Sequence, residues 1–354
     1  MEGGGAGLTR CPQDRVQIAI HHKNEGTFSD RWVEYCAERH IPFTAVDCYR
    51  SDILRQLASA DALLWHFLQT RPANLLMARH VVMAAEAMGL KVFPSSPTCW
   101  HFDDKIAQKY LLEAVGAPLI PTYVSYDPDE ALRWIDGAVF PKVFKLRRGA
   151  GSENVRLVRT ADEARRLAAR AFGRGFRPAG GYFADASTKY RKVRARRDVA
   201  GVLRRLPRAI LDLYRRVHLM GREKGYVYFQ DFAAGNTFDT RITIIGNRAF
   251  GFTRNVRQGD FRASGSGSIN YDLARIKPPC VEIAFQVARK IGSQSIAFDF
   301  VMEAGEPKIV EISYCYLPEA VYRCAGHWDD RLDWHEGQVW PQDAIIEDLL
   351  TGLK

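Results

Sequence analysis

Asp299 and Glu311 each interrupt an apolar run, Ile296-Ala-Phe-Asp-Phe-Val-Met302 and Lys308-Ile-Val-Glu-Ile-Ser313. A strand buried on both faces should not carry an isolated carboxylate, because an uncompensated buried charge costs several kcal/mol. Alternation along a strand puts Glu311 and Ser313 on one face, and a turn at Gly305 brings Asp299 beside that face. Two carboxylates so placed are hard oxygen ligands for Mg²⁺, an ion that takes one or two carboxylates together with nucleotide phosphates. The rival reading is a pair of solvated strand acids.

The complementary charges are cations in apolar surroundings. Lys145 ends the run at 141–146 and is followed by Arg148, Gly149, Ala150, Gly151 and Ser152. Small residues let backbone N–H groups approach phosphate oxygens while a lysine neutralises them. An ordinary hairpin has the same composition, and the segment is neither a Walker loop nor a dinucleotide fingerprint. Arg241 and Arg254 also sit in strand-like runs, where arginine needs an anionic partner, either a protein acid or a bound phosphate. For Arg241 a structural bridge to Asp239 and a phosphate contact both stand.

Alternating strands and helices must position these groups. Apolar runs at 16–22, 42–46, 62–67 and 91–94 alternate with helical spacing at 28–39, 52–58 (with Ser51 as its cap) and 72–88, which predicts four βα units and a parallel sheet. A helix over 104–115 follows. Strands are then expected at 122–126, 141–146, 155–158, 226–232, 241–245, 249–254, 296–302 and 308–313, with helices at 161–172 and 279–291. Short turns such as Gly246-Asn247 make much of this pairing antiparallel. The fold class is therefore α/β followed by α+β, divided as 1–95 and 96–354.

With 354 residues, 47% hydrophobic and 26% charged, the chain is of ordinary globular composition. Residues 1–10 have no apolar segment of a secretory signal, and the apolar stretch at 62–68 falls far short of the roughly 20 residues of a membrane span. Seven cysteines show no ligand spacing and cannot all pair within one chain. These features predict a reduced, cytoplasmic setting.

In order along the chain stand Lys105 on a helix, Lys145 before a small-residue loop, Gln230-Asp231-Phe232, Asp239-Thr-Arg241, Arg254, Asp299 and Glu311-Ile-Ser313. This order resembles the ATP-grasp ligases, a superfamily that includes glutathione synthetases, D-alanine:D-alanine ligases and ribosomal-protein glutamate ligases. The likeness covers about residues 94–313, preceded by what looks like that family's N-terminal preATP-grasp domain. It implies ATP and Mg²⁺ between two lobes. Lys105, Lys145 and Arg241 would contact phosphates, and the loop of Arg148, Gly149, Gly151 and Ser152 would close over them. Gln230, Asp231 and Phe232 would meet adenine, and Arg254 would hold an acyl phosphate. Asp299, Glu311 and Ser313 would carry metal, Ser313 standing where the family usually has Asn. The implied reaction forms an amide between a carboxylate and an amine. A kinase acting on a hydroxyl and a non-catalytic binder of acidic glycan or membrane are the alternatives. The segments 260–267 and 311–337 further resemble a subgroup linked to bacterial surface-polysaccharide biosynthesis, which makes a glycan or its precursor a candidate substrate.

The net charge of +9 is local. Residues 174–224 hold 15 Lys and Arg against 4 acids, a net +11, which leaves −2 for the rest. A basic helical insertion is expected over 183–224, with apolar residues from Val199 to Val217 at helical spacing. It reads as a solvated helical hairpin, or as a contact for an acidic glycan or an anionic surface at the inner membrane face through 189–216. Nucleic acid ranks last, because Tyr190 alone interleaves an aromatic with the cluster.

Overall fold

The computed structural model describes residues 16–23, 28–69, 71–148, 154–177, 221–257, 259–263, 265 and 267–353. The loop residues Gly149, Gly151 and Ser152, and the insertion up to residue 220, lie outside them.

Strands β1 (Ile18–His21), β2 (Phe43–Val46), β3 (Ala62–Leu64) and β4 (Lys91–Phe93) form a parallel sheet in the order β2-β1-β3-β4. β1 and β3 are buried at every residue, the pattern of a parallel strand covered on both faces. Helix α1 (Ser29–Glu38) buries Trp32, Tyr35 and Cys36, and α3 (Pro72–Ala87) buries Asn74, Ala78, Val82 and Ala85. Between them α2 is only Ile53–Gln56, shorter than the sequence spacing predicts. Its N-cap is Asp52 rather than Ser51, and that carboxylate bonds Arg50 and Gln56 instead of the backbone.

After the short α4 (Ser96–Cys99), helix α5 (Lys105–Ala114) starts at Asp104, whose carboxylate accepts the Ala107 N–H at 3.1 Å. An antiparallel sheet follows in the order β5-β8-β6-β7, made of β5 (Thr122–Ser125), β6 (Lys142–Lys145), β7 (Val155–Val158) and β8 (Val227–Asp231). Helices α6 (Pro128–Gly137) and α7 (Ala161–Phe172) cover one face through Ala131, Ile135, Ala164 and Ala168 against Phe144, Val227 and Phe229. The sequence reading missed α6, although Asp127 caps it and Pro128 opens it.

The large sheet contains β9 (Phe238–Ile245), β10 (Arg248–Asn255), β11 (Ile269–Asn270), β12 (Ser295–Glu303), β13 (Glu306–Ser313), β14 (Gly326–Trp328) and β15 (Trp334–Glu336). Its order is β13-β12-β9-β10-β14-β15, with β11 against β10. Alternation decides its two faces. Ile242, Ile244, Ile296, Phe298, Phe300 and Ile312 pack on α8 (Pro278–Ile291), which leaves Asp239, Arg241, Ala297, Asp299 and Glu311 for the opposite face. The C-terminal α9 (Pro318–Tyr322) and α10 (Pro341–Thr351) join this sheet to the parallel one. Trp32 donates to the Gln342 carbonyl at 3.1 Å, Arg31 forks onto Asp343 at 2.8 and 2.7 Å, and Phe28, Trp32, Phe250, Tyr316 and Ile346 share one core.

Gly251 marks how tightly the large sheet is packed. A Cβ there would lie 2.8 Å from Ile276 Cδ1, 3.0 Å from Trp328 Cζ3 and 3.1 Å from Ile242 Cδ1. Gly251→Val should therefore lower the denaturant midpoint, by about 1–3 kcal/mol in stability for an overpacked core. An unchanged midpoint would show that these three side chains can yield.

Candidate functional site

Strand register builds the floor of the site. Asp299 stands opposite Arg241 on β9 and opposite Glu311 on β13, while Asp239 stands opposite Arg254 on β10. Directly opposed residues share a face, so five charged side chains converge. Arg241 forks onto Asp299 at 2.7 and 2.8 Å. Arg254 forks onto Asp239 at 2.8 and 2.5 Å and also reaches Asp299 at 2.8 Å. Burial alone would raise the Asp299 pKa, but Arg241 and Arg254 outweigh it and hold the carboxyl far below the usual range. Burial disfavours the Arg254 charge, and Asp299 and Asp239 more than compensate. The bridge anticipated for Arg241 is thus real but its partner is Asp299, while Asp239 serves Arg254.

Two buried lysines face this floor. Lys145, at the end of β6, bonds Gln230 Oε1 and approaches the Val310 carbonyl at 3.4 Å. That carbonyl lies beside a bulge in the β12–β13 ladder between Asp299 and Phe300, a device that re-aims groups next to functional sites. Burial, helped by the Lys105 charge, pulls the Lys145 pKa down to about 8 against the opposing pull of Glu311 and Asp299. Lys105 lies 3.1 Å from Glu311. Burial works against its charge, but Glu311, Asp103 and Asp104 win and its pKa rises. The Lys105 N–H bonds the Arg147 carbonyl at 3.0 Å, which ties the start of α5 to the chain leaving Lys145.

Between the small and large sheets lies an open cleft. Lys105, Lys145, Gln230, Asp231, Phe232, Asp299 and Glu311 all line it. Arg241 and Arg254 stand one bond behind, on Asp299. Arg148 lies apart, 3.7 Å from Glu223. Ser313 shares the strand face but does not line the cleft, and its hydroxyl donates to the Cys315 carbonyl and accepts the Cys315 N–H. Sequence reasoning passed over Asp239 as a site residue, and also Asn236 and the 261–263 segment, whose Phe261 meets Phe232 edge-on at 5.7 Å. Beyond the cleft, at the carboxyl edge of the parallel sheet, His21 Nε2, both His66 ring nitrogens and Gln69 Oε1 are buried without partners among the described residues. His66 reaches Tyr314, the residue after β13, at 5.8 Å.

Directly opposed, Asp299 and Glu311 fit a hard divalent cation, provided the guanidiniums release Asp299. Glu311 meets this more readily, being a third exposed on the cleft wall with one oxygen on Lys105. Ser313 does not fit as placed, because its hydroxyl is engaged in a local turn. Among the described residues no cluster of three or more His, Cys, Asp or Glu is arranged to hold a metal, so a cation here would complete its shell with water or ligand oxygens.

No protein-family model matches the chain. Two curated proteins match short segments. A pyruvate carboxylase subunit from Methanothermobacter thermautotrophicus is 34% identical over 99 residues, and the alpha chain of the mitochondrial methylcrotonoyl-CoA carboxylase of Glycine max is 38% identical over 89. These segments are 25% and 23% of this chain, and only 20% and 12% of those proteins. Solved structures match nearly the whole length. A RimK domain ATP-grasp protein from Sphaerobacter thermophilus has a TM-score of 0.54 at 14% identity, covering 95% of this chain and 100% of that one. The D-cycloserine synthetase DcsG (TM-score 0.55, 14% identity, 94% and 99% covered) and the D-alanine–D-alanine ligase of Bacillus anthracis (0.52, 12%, 95% and 98%) share the same architecture. The fold is the ATP-grasp fold, as the order of motifs implied.

Lys145 gives this site a pH signature. Folded, it loses its proton near pH 8, whereas an unfolded lysine does so at about 10.4. Between those values the unfolded chain binds more protons, so this residue's penalty is fully present below pH 8 and disappears as pH rises to 10.4. Lys145→Met should therefore be the more stable protein at pH 7, by at most about 3 kcal/mol, and should lose that advantage at pH 10.5. Equal or lower stability of the variant at pH 7 in denaturant melts would show that the lysine is not penalised by burial.

Proposed function

We propose that this chain is an ATP-dependent ligase that joins a carboxylate to an amine through an acyl phosphate. The observation that carries the reading is the cleft between two sheets in which two buried lysines face Asp231, Asp239, Asp299 and Glu311, with two arginines behind Asp299. A nucleotide triphosphate matches this charge set, and no nucleophilic side chain is needed, because phosphoryl transfer requires positioning and cationic stabilisation. Lys105 and Lys145 would together neutralise phosphate oxygens. Gln230, Asp231 and Phe232, on the strand that bridges β5 and β6, would meet the base. Magnesium, held by Asp299 and Glu311, would supply further shielding of phosphate charge. Arg254, released from Asp299, would turn to the transferred phosphoryl group and its acyl product. The amine then displaces phosphate and the amide forms.

The carboxylate and amine would enter from the carboxyl edge of the parallel sheet, where open α/β sheets bind ligands. The unpartnered donors and acceptors of His21, His66 and Gln69 support that route. A cell-surface glycan or its precursor as the substrate rests on the sequence likeness of 260–267 and 311–337 alone. The division into residues 1–95 and 96–354 and a cytoplasmic setting belong to the same reading. Among the described residues no helix is long and apolar enough to cross a membrane.

Phosphate release and product mass, measured over a panel of acid and amine pairs with ATP and Mg²⁺, test the proposal. Release that requires both partners and yields an amide supports it. Phosphate retained on a hydroxyl product would make the protein a kinase, and no ATP turnover with any pair would make it a binder. Arg254→Lys should fold and lose at least about 100-fold in kcat, the scale for one electrostatic contact to a transition state. Arg254→Ala should instead destabilise the protein by about 3–5 kcal/mol, since it strands buried Asp239 and takes one of two guanidiniums from Asp299. Glu311→Gln should raise the Mg²⁺ concentration giving half-maximal rate, and an unchanged titration would move the metal elsewhere.

A further inference from the structure

Lys105 and Lys145 belong to different elements, the start of α5 and the end of β6, and residue 147 is where the backbone joins them. The Arg147 carbonyl accepts the Lys105 N–H at 3.0 Å, and the Arg147 N–H donates to the Tyr226 hydroxyl at 2.7 Å. That hydroxyl donates in turn to Glu223 Oε2 at 2.8 Å. A phenol has one proton to give and lone pairs with which to receive. With its proton committed to a carboxylate, Tyr226 meets Arg147 as an acceptor, so the relay has a single polarity. Burial, together with the Glu223 charge, pushes the Tyr226 pKa up and keeps the phenol protonated. Its ring packs with Ile106, the residue after Lys105.

Glu223 is itself held firmly. It is 4% exposed, and its N–H and carbonyl pair with Phe176 at 3.0 and 2.9 Å. The approach is close, since a Cβ on Gly175 would lie 2.8 Å from the Glu223 carbonyl oxygen. Its carboxylate oxygens lie 3.6 Å from Arg147 Nε and 3.7 Å from Arg148 Nε, the compensation that a buried charge requires. Neither Tyr226 nor Glu223 lines the cleft.

We propose that Tyr226 and Glu223 are positioning residues for the triphosphate: acting through the backbone of residue 147, they hold Lys145 at a fixed spacing from Lys105. The inference rests on the reading of the cleft as an ATP site. Two ammonium groups held ready for phosphate oxygens avoid the ordering cost that binding otherwise carries. Freeing residue 147 leaves both lysines in the protein and restores that cost.

Calorimetric titration of the full chain with Mg²⁺ and a non-hydrolysable ATP analogue, with no acid or amine present, tests the proposal. Tyr226→Phe should fold and bind about tenfold more weakly, the upper range for one lost hydrogen bond. Glu223→Leu should weaken binding in the same way, and Glu223→Gln, whose amide oxygen can still accept from Tyr226, should recover most of that loss. A core control remote from the cleft, Ile346→Val, should melt earlier than wild type with its affinity unchanged. Wild-type affinity in Tyr226→Phe, or a loss no larger than that of the Ile346→Val control, would overturn the positioning role and leave the ATP reading standing. Equal weakening by Glu223→Gln and Glu223→Leu would overturn the relay through Tyr226. A wild type that does not bind the analogue would overturn the ATP reading, and this inference with it.

Discussion

Everything at the proposed site hangs on one ladder of buried charge, Arg241 to Asp299 to Arg254 to Asp239. Ions taken out of water lose several kcal/mol each, recovered only when geometry is good and every oxygen and N–H is used. Register supplies that geometry. Because β9 pairs with both β10 and β12, its two charged residues are each placed opposite a counter-ion on a neighbouring strand. A shift of one residue in either pairing would turn the whole charged face toward α8 and its isoleucines and phenylalanines. The apolar core on one side of the sheet and the ionic ladder on the other therefore fix the same register.

The small sheet then adds positive charge to a surface that is already balanced within itself. Lys105 finds Glu311, but among the described residues Lys145 finds only neutral oxygens of Gln230 and Val310 within bonding distance. A lysine so placed is held in a poor solvent by the fold rather than by a partner. Stability is given up at this position, as is common where a protein prepares a site for a ligand charge. The bulge in the β12–β13 ladder serves the same end, since it directs the Val310 carbonyl toward the lysine across the cleft.

Much of this was legible in the sequence because strand alternation is a local property. Asp299, Glu311, Arg241 and Arg254 stand out as charges in apolar runs, and the structure places all four on one face. Which charge pairs with which was not legible. Asp239 and Arg241 are neighbours on one strand, so a sequence reading joins them, yet both side chains reach across to adjacent strands, as cross-strand pairs do. The resemblance to the ATP-grasp ligases implied Ser313 as a third oxygen ligand, on the face it shares with Glu311. Its hydroxyl instead closes a turn with Cys315 as the strand ends, a competition for backbone groups that serine always offers. Helices α6 and α10 escaped notice because polar caps and prolines had to be weighed without an apolar run as long as those of the strands.

The ladder also sets the terms on which a ligand can enter. Counting Lys105, Lys145 and Arg262 of the cleft wall with Arg241 and Arg254 behind it, against Asp231, Asp239, Asp299 and Glu311, leaves a surplus of one positive charge. A triphosphate would reverse that surplus strongly. If Arg254 turned to phosphate oxygens, Asp299 would keep the Arg241 fork, while Asp239 would lose its bidentate partner. In the proposed reaction a cation on Asp299 would compete with Arg254 for that carboxylate and so favour its turn toward phosphate. The coupling follows from the 2.8 Å contact between these two side chains, so an uncharged substitute at position 299 should weaken cation and phosphate binding together, while one at Glu311, which Arg254 does not touch, should weaken only the cation.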